Sequence, residues 1–186
     1  MSTELLIREL CVAVLDCVAS GGRAAPARAR PRVTGLGRHF AVEPADAGWL
    51  AGAGAEALAA YAERAEESWE DRWSVDTDTA WEPLHRALSG GPGPAPGPLA
   101  HAILGGRPLP AAPGCLLRLL PPDRVPATAE ALTGLTRPWL RARLDALGRP
   151  PGLSCESCAW ERLCALRAFH TRAADAGRGV LFTVSD

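Results

Sequence analysis

Four histidines and six cysteines are the side chains of this 186-residue chain best suited to acid–base, nucleophilic or metal chemistry near neutral pH. The densest grouping runs from Asp78 to Gly106. Trp81 and His85 stand at i and i+4 of an apolar helical turn, Asp78-Thr79-Ala80-Trp81-Glu82-Pro83-Leu84-His85. A Pro/Gly loop then leads to His101-Ala102-Ile103-Leu104-Gly105-Gly106. Two imidazoles facing one cleft can share an ion or pass a proton, and a Gly-Gly turn lets a ligand approach backbone amides. Trp81, His85, His101, Gly105 and Gly106 therefore form the candidate pocket. The competing reading is structural: a lone histidine on an apolar helix face is most often a hydrogen-bonded core residue, and this glycine pair lacks the spacing of a phosphate-binding loop. With no Gly-x-Ser-x-Gly elbow in the chain, no catalytic residue is assigned.

The metal-like pattern is Cys155-x2-Cys158-x5-Cys164-x5-His170. Structural zinc sites pair two cysteine knuckles, and one CxxC is present here. On a helix, Cys164 and His170 are ~120° apart around the axis and do not converge on one ion. Zinc at Cys155, Cys158 and Cys164 stays as an alternative, and no cofactor is expected. A thioredoxin-like role is disfavoured because this CxxC does not follow a strand in a βαβ unit. The cysteines fall mostly in apolar periodic segments, which points to free thiols in a reducing cytosol instead of a disulfide framework. Glu4, Arg8, Glu9 and Asp16 interrupt the apolar N-terminus, so neither a secretory signal nor a membrane span is expected there. The expected location is cytoplasmic.

Composition sets the class. With 47% apolar residues, 22% charged and a net charge of −1, the chain is an ordinary globular one. It has no Lys, Asn or Gln, a skew that reads as the codon bias of a GC-rich genome. Helical spacing of Leu6, Leu10, Val14 and Val18 predicts a helix over 3–19, followed by a basic Gly/Ala/Pro/Arg linker over 20–38. That linker has no interleaved aromatic to stack on bases, so no nucleic-acid partner is expected.

The elements needed to position the histidines follow. A strand is predicted at His39–Glu43, a helix from Pro44 through Tyr61, and a helix carrying Trp81, Leu84, His85 and Leu88 on one face, capped by Asp78 or Thr79. Strands are predicted at Leu99–Leu104, Gly114–Leu120 and Gly179–Val184. Helices are predicted from Val125 or Pro126, over about Pro138–Leu147, and over Glu156–Ala176 with Leu163, Leu166, Phe169 and Ala173 in register. Together these give an α+β fold, a small mixed sheet packed with several helices, as a single domain plus an N-terminal extension. Between Glu63 and Glu82 eight acids face two arginines. That acidic segment reads as a solvated helix face and as the surface for a protein partner.

Several of these stretches resemble motifs of the YfbM-like family of small bacterial proteins, classed as a domain of unknown function. Asp78–His85 resembles the family's D-x-A-W-x-x-L-H, and Ala102–Gly106 is similar to its A-I-L-G-G strand and turn. Leu119–Val125 resembles Y-L-T-P-E-E-V, and Leu166–Ala174 resembles L-x-x-F-Y-x-x-A-A. His170 stands where the family has Tyr, Pro121 where it has a Ser or Thr cap, and Cys155–Cys158 replaces an aromatic-Pro-x-x-Trp stretch. The resemblance runs from Val33 to the end and implies an α+β fold in a cytoplasmic bacterial protein, with no reaction attached. It divides the chain into residues 1–32, an extension or a stretch upstream of a GTG start at Val33, and a domain over 33–186.

The functional expectation is a non-enzymatic interaction domain, of an accessory or immunity type, that masks a partner through the acidic 63–82 surface. The alternative is a small-molecule or enzymatic pocket around Trp81, His85 and Gly105-Gly106.

Overall fold

The computed structural model describes residues 35–148 and 156–185. The N-terminal helix, the linker before Gly35, the Val33 start and Cys155 lie outside the described residues. The described elements, in chain order, are β1 (Leu36–Val42), α1 (Pro44–Leu50), α2 (Ala55–Glu67), β2 (Ser74–Asp78), α3 (Trp81–Ser89), α4 (Pro98–His101), β3 (Arg107–Pro108), β4 (Leu116–Leu120), a 3-10 turn (Pro122–Arg124), α5 (Val125–Thr133), α6 (Arg137–Ala146), α7 (Glu156–Asp175) and β5 (Gly179–Ser185).

The strands form a sheet of order β2-β1-β5-β4-β3. Every pairing is antiparallel, where a mixed sheet was expected. The α+β assignment holds. β1 and β5 occupy the middle, and their near-continuous apolar runs are buried on both faces. Alternation sorts the side chains. Ala41, Val180, Phe182, Val184 and Leu120 face a large core built by α3 to α7, with Leu84, Ile103, Leu132, Leu140, Leu166 and Phe169. Phe40, Val42, Leu117, Leu119 and Leu181 face a smaller core with Ala47 and Leu50 of α1 and Leu58 of α2.

Both sheet edges are blunted. Two arginines of α7 engage the backbone at β2: Arg162 donates to the Asp76 carbonyl at 3.1 Å, and Arg172 to that of Arg72, also at 3.1 Å. β3 is two residues long and contains Pro108, which has no N–H to offer a further strand.

Four local expectations are corrected. The helix expected over Pro44–Tyr61 is two helices, broken across 51–54 where Gly52 and Gly54 disfavour helix. The strand expected at Leu99–Leu104 is the short helix α4 and a turn, because Gly97 at φ 101° turns the chain and Pro98 starts the helix. The acidic face expected to be helical through 63–82 is helix only to Glu67, then turn and strand β2. The N-cap position of α3, expected at Asp78 or Thr79, is taken by Ala80, which makes no side-chain cap bond. Asp78 instead adopts φ 49°, in the left-handed region open to Asp, and its carboxylate accepts from the Thr79 N–H at 2.7 Å. That single residue ends β2 and turns the chain into α3.

Candidate functional site

Trp81 fills the corner that Asp78 creates. Its indole packs against Gly37 of β1, where any Cβ would come within 2.7 Å of it, and its Nε1 donates to the Gly35 carbonyl at 3.1 Å. Four residues on, His85 has no exposed surface. A carbonyl can only accept, so the 2.9 Å contact with Gly93 makes Nε2 the protonated nitrogen. Burial, the leading cause, lowers its pKa below the usual 6.5, with Arg118 and Arg86 adding to the shift against the Gly93 bond.

Ser89 Oγ lies 3.3 Å from the same Nε2, which invites comparison with a serine–histidine dyad. The protons run the wrong way for one. The Ser89 hydroxyl is directed at the His85 and Gly91 carbonyls at 2.7 and 2.8 Å, and the imidazole presents N–H to it, not a lone pair. The group ties the end of α3 to the Pro/Gly loop. His85 Nδ1 has no hydrogen-bond partner.

The other predicted residues also act in packing. His101 is partly exposed, its pKa lowered by burial and by Arg124. Gly105 is buried, and a Cβ on it would lie 2.0 Å from His101 Cα. Gly106, at φ 70°, lies against the Leu119 carbonyl, which a Cβ would meet at 2.3 Å. The carbonyls of the turn are taken by Arg118, which donates to Gly105 at 3.3 Å and to Gly106 at 3.1 Å. An anion finds no cradle in those carbonyls.

Two further histidines, far apart in sequence, are neighbours in the fold. His39 of β1 and His170 of α7 are fully buried, with ring centroids 6.2 Å apart, beside Phe169 and Phe182. His170 Nδ1 donates to the Leu166 carbonyl at 3.0 Å, and its Nε2 has no partner. Neither His39 nitrogen reaches hydrogen-bonding geometry, although the backbones of Ala102 and Val75 lie near enough to oppose its shift weakly. Burial drives the His170 pKa down to about 4, and burial with the neighbouring His170 holds His39 well below 6.5. Both rings are neutral parts of the core.

Of the cysteines considered for zinc, Cys158 is disulfide-bonded and Cys164 is free, as is Cys115. This corrects the expectation of free thiols at Cys158, and a disulfide sulfur is no thiolate ligand. Among the described residues no group of three or more His, Cys, Asp or Glu is placed to hold a metal ion. No described helix is long and apolar enough to cross a membrane.

An open concavity lies beside α2, where β1 meets the turn before β2. A groove of ≈ 600 Å³ runs between the end of α2, the 68–74 turn and β1, lined by Phe40, Tyr61, Arg64, Glu67, Glu70, Trp73 and Arg178 among others. Its floor is aromatic and its walls are charged. Arg178 lies 3.7 Å over the Trp73 ring and pairs with Glu43. Arg72 lies 4.8 Å from the same ring. Tyr61 donates to Asp46 at 3.2 Å, and partial burial with that carboxylate pushes its pKa up to about 12. Trp69 and Trp49 are the large exposed apolar side chains, at 38% and 49%. Trp69 stands edge-on to Phe40 at 5.8 Å, and Trp49 packs at 6.0 Å from Tyr61.

Residues 35–183 match the family described as "Domain of unknown function (DUF1877)". The chain belongs to this family. The crystal structure of YfbM from Escherichia coli, a protein of unknown function, is similar at TM-score 0.56 and 21% identity, over 81% of this chain and 99% of that one. At that identity the likeness is one of fold. Comparison with curated proteins finds no match.

In this DUF1877 member, two of the motifs that carried the resemblance build the α3 elbow and the Gly-Gly turn, and the other two the passage from β4 into α5 and the second half of α7. The groove was missed from sequence because three separated segments make it and no spacing encodes it. The available signal was an unusual one: Trp69 and Trp73 sit inside the most acidic stretch of the chain.

Proposed function

We propose that this DUF1877 domain is a non-enzymatic binding module of an accessory or immunity type, whose partner is a protein surface of basic character received on the 63–82 face. One observation carries this reading. Part of the acidic segment forms a wall of the groove, where Glu67 and Glu70 are exposed and engage in no ion pair among the described residues; Glu63, outside the groove, is likewise exposed and in no ion pair among them. The remaining acids are partly engaged: Glu66 with Arg38 at 2.5 Å, Glu82 with Arg86 at 2.8 Å, and Asp78 with Arg162 at 3.8 Å. Unpaired carboxylates around an exposed indole supply what recognition surfaces use, an aromatic anchor with a charged rim that speeds encounter.

Selection from a random displayed-peptide library against the immobilised chain tests this. Supporting ligands are basic, weaken when salt rises from about 0.05 to 0.5 M, and are lost on the double reversal Glu67→Arg/Glu70→Arg. Ligands indifferent to both the reversal and the salt would refute it. The proposal includes action in the bacterial cytoplasm. Fractionation of cells that express the chain tests that part: it should separate with a cytoplasmic marker, and recovery with the cell envelope or the medium would contradict it.

A further inference from the structure

We infer that the groove recognises an arginine side chain of an extended partner segment, with the exposed Trp69 beside it, in contact with the groove's Phe40, as stacking platform and Glu67 and Glu70 as its carboxylates. This deepens, and rests on, the reading of the 63–82 face as a protein-binding surface. The domain already shows how this surface holds a guanidinium. Arg178 lies flat enough on Trp73 to sit 3.7 Å from the ring centroid while pairing with Glu43, and Arg64 lies 5.9 Å over Tyr61. Both arrangements place a guanidinium over an aromatic face, and the first, at stacking distance, adds a carboxylate.

Trp69 repeats the arrangement without the cation. No arginine among the described residues stacks on it. Its orientation is fixed by a 2.9 Å bond from Nε1 to Asp71 and by its edge contact with Phe40, a residue of the groove. Glu67 and Glu70 flank it in sequence and line the same groove. The positive side chains at or beside the groove are Arg178, paired with Glu43, Arg64, and Arg72 over Trp73; Glu67, Glu70 and Asp71, the last on the Trp69 N–H, set three carboxylates against the two remaining guanidinium groups. Arginine fits this site better than lysine because its planar guanidinium stacks and binds a carboxylate through two N–H groups at once, whereas an ammonium is a strongly hydrated point charge.

The test uses the full chain and three peptides of nine residues alternating with alanine, one carrying arginine, one lysine and one citrulline, the last keeping the shape of arginine without its charge. The indole N–H resonances of the six tryptophans are followed by NMR, with Trp69 assigned from its loss in Trp69→Leu. The arginine peptide should shift the Trp69 resonance and leave Trp49 unmoved, binding about threefold or more tighter than the lysine peptide and about tenfold tighter than the citrulline one. Glu67→Gln/Glu70→Gln should remove that preference. The leucine variant keeps an apolar cover on Phe40, so its loss of binding reads the stacking and not unfolding. Equal affinity for lysine or citrulline peptides, or a Trp69 signal that does not move, overturns the arginine site. If library ligands still depend on Glu67 and Glu70 in that case, the binding-module reading survives; if they do not, both fall.

Discussion

The two faces of the sheet treat their polar and aromatic side chains in opposite ways. On the α3 to α7 face, His39, His85, His170 and Trp81 are buried and held by backbone and rings: Gly93 covers His85, Gly35 receives Trp81, Leu166 receives His170, and His39 packs against Phe169, His170 and Phe182. On the α1 and α2 face, the core is small and a groove remains, with two tryptophans exposed and glutamates unpaired. Residues that chemistry makes suspicious in a sequence are, in this molecule, the ones packing has consumed. Residues that composition makes look like a solvated acidic face are the ones left exposed beside a groove.

The largest effects should come from the closed face. Phe169→Ala removes a fully buried ring from its core and should destabilise the fold by about 3–5 kcal/mol in denaturant unfolding. Gly105→Ala, whose methyl group meets backbone at 2.0 Å, should cost about 1–3 kcal/mol or more. A near-neutral result would show that the Gly-Gly turn has room, and would reopen it as a ligand site.

Acid should act on the same face. The folded pKa values of His39 and His170 lie below the usual 6.5, so the unfolded chain takes up protons first as pH falls. The stability they contribute is fully present above pH 6.5. It is lost as pH falls from 6.5 towards about 4, where His170 itself titrates in the fold, at up to about 1.4 kcal/mol per pH unit for each ring. Unfolding measured across this range, with His170→Phe flattening the slope, checks it. The smallest effect should come from the open face, where Trp69→Ala should change stability by less than about 0.5–1 kcal/mol. A loss as large as that of Phe169→Ala would erase the contrast between the faces.

Much of the closed face was legible in the sequence because it follows helical arithmetic. Leu163, Leu166, Phe169 and Ala173 recur at three and four, and all four are buried in α7. Pro126 is compatible with a helix beginning at Val125, as observed. The errors arose where tertiary context overrode local signal. β2, Ser-Val-Asp-Thr-Asp, reads as part of an acidic helix, yet Ser74, Val75 and Thr77 pack inward once β1 pairs with it. Leu99–Leu104 is apolar enough for a strand, but it is buried as a helix and turn under α5. Neither the pairing of His39 with His170 nor the groove can be read along the chain, because each joins residues more than thirty positions apart in sequence.

The most direct measurement is a residue-by-residue map of the NMR shifts produced by a ligand selected for binding the chain. If the groove is the binding surface, the shifts gather at Trp69, Trp73, Tyr61, Glu67 and Glu70, and His85 and Gly105 stay still. Shifts centred on His85, Gly93 and Gly105 with the groove unmoved would contradict it and return the function to the Trp81–His85 elbow.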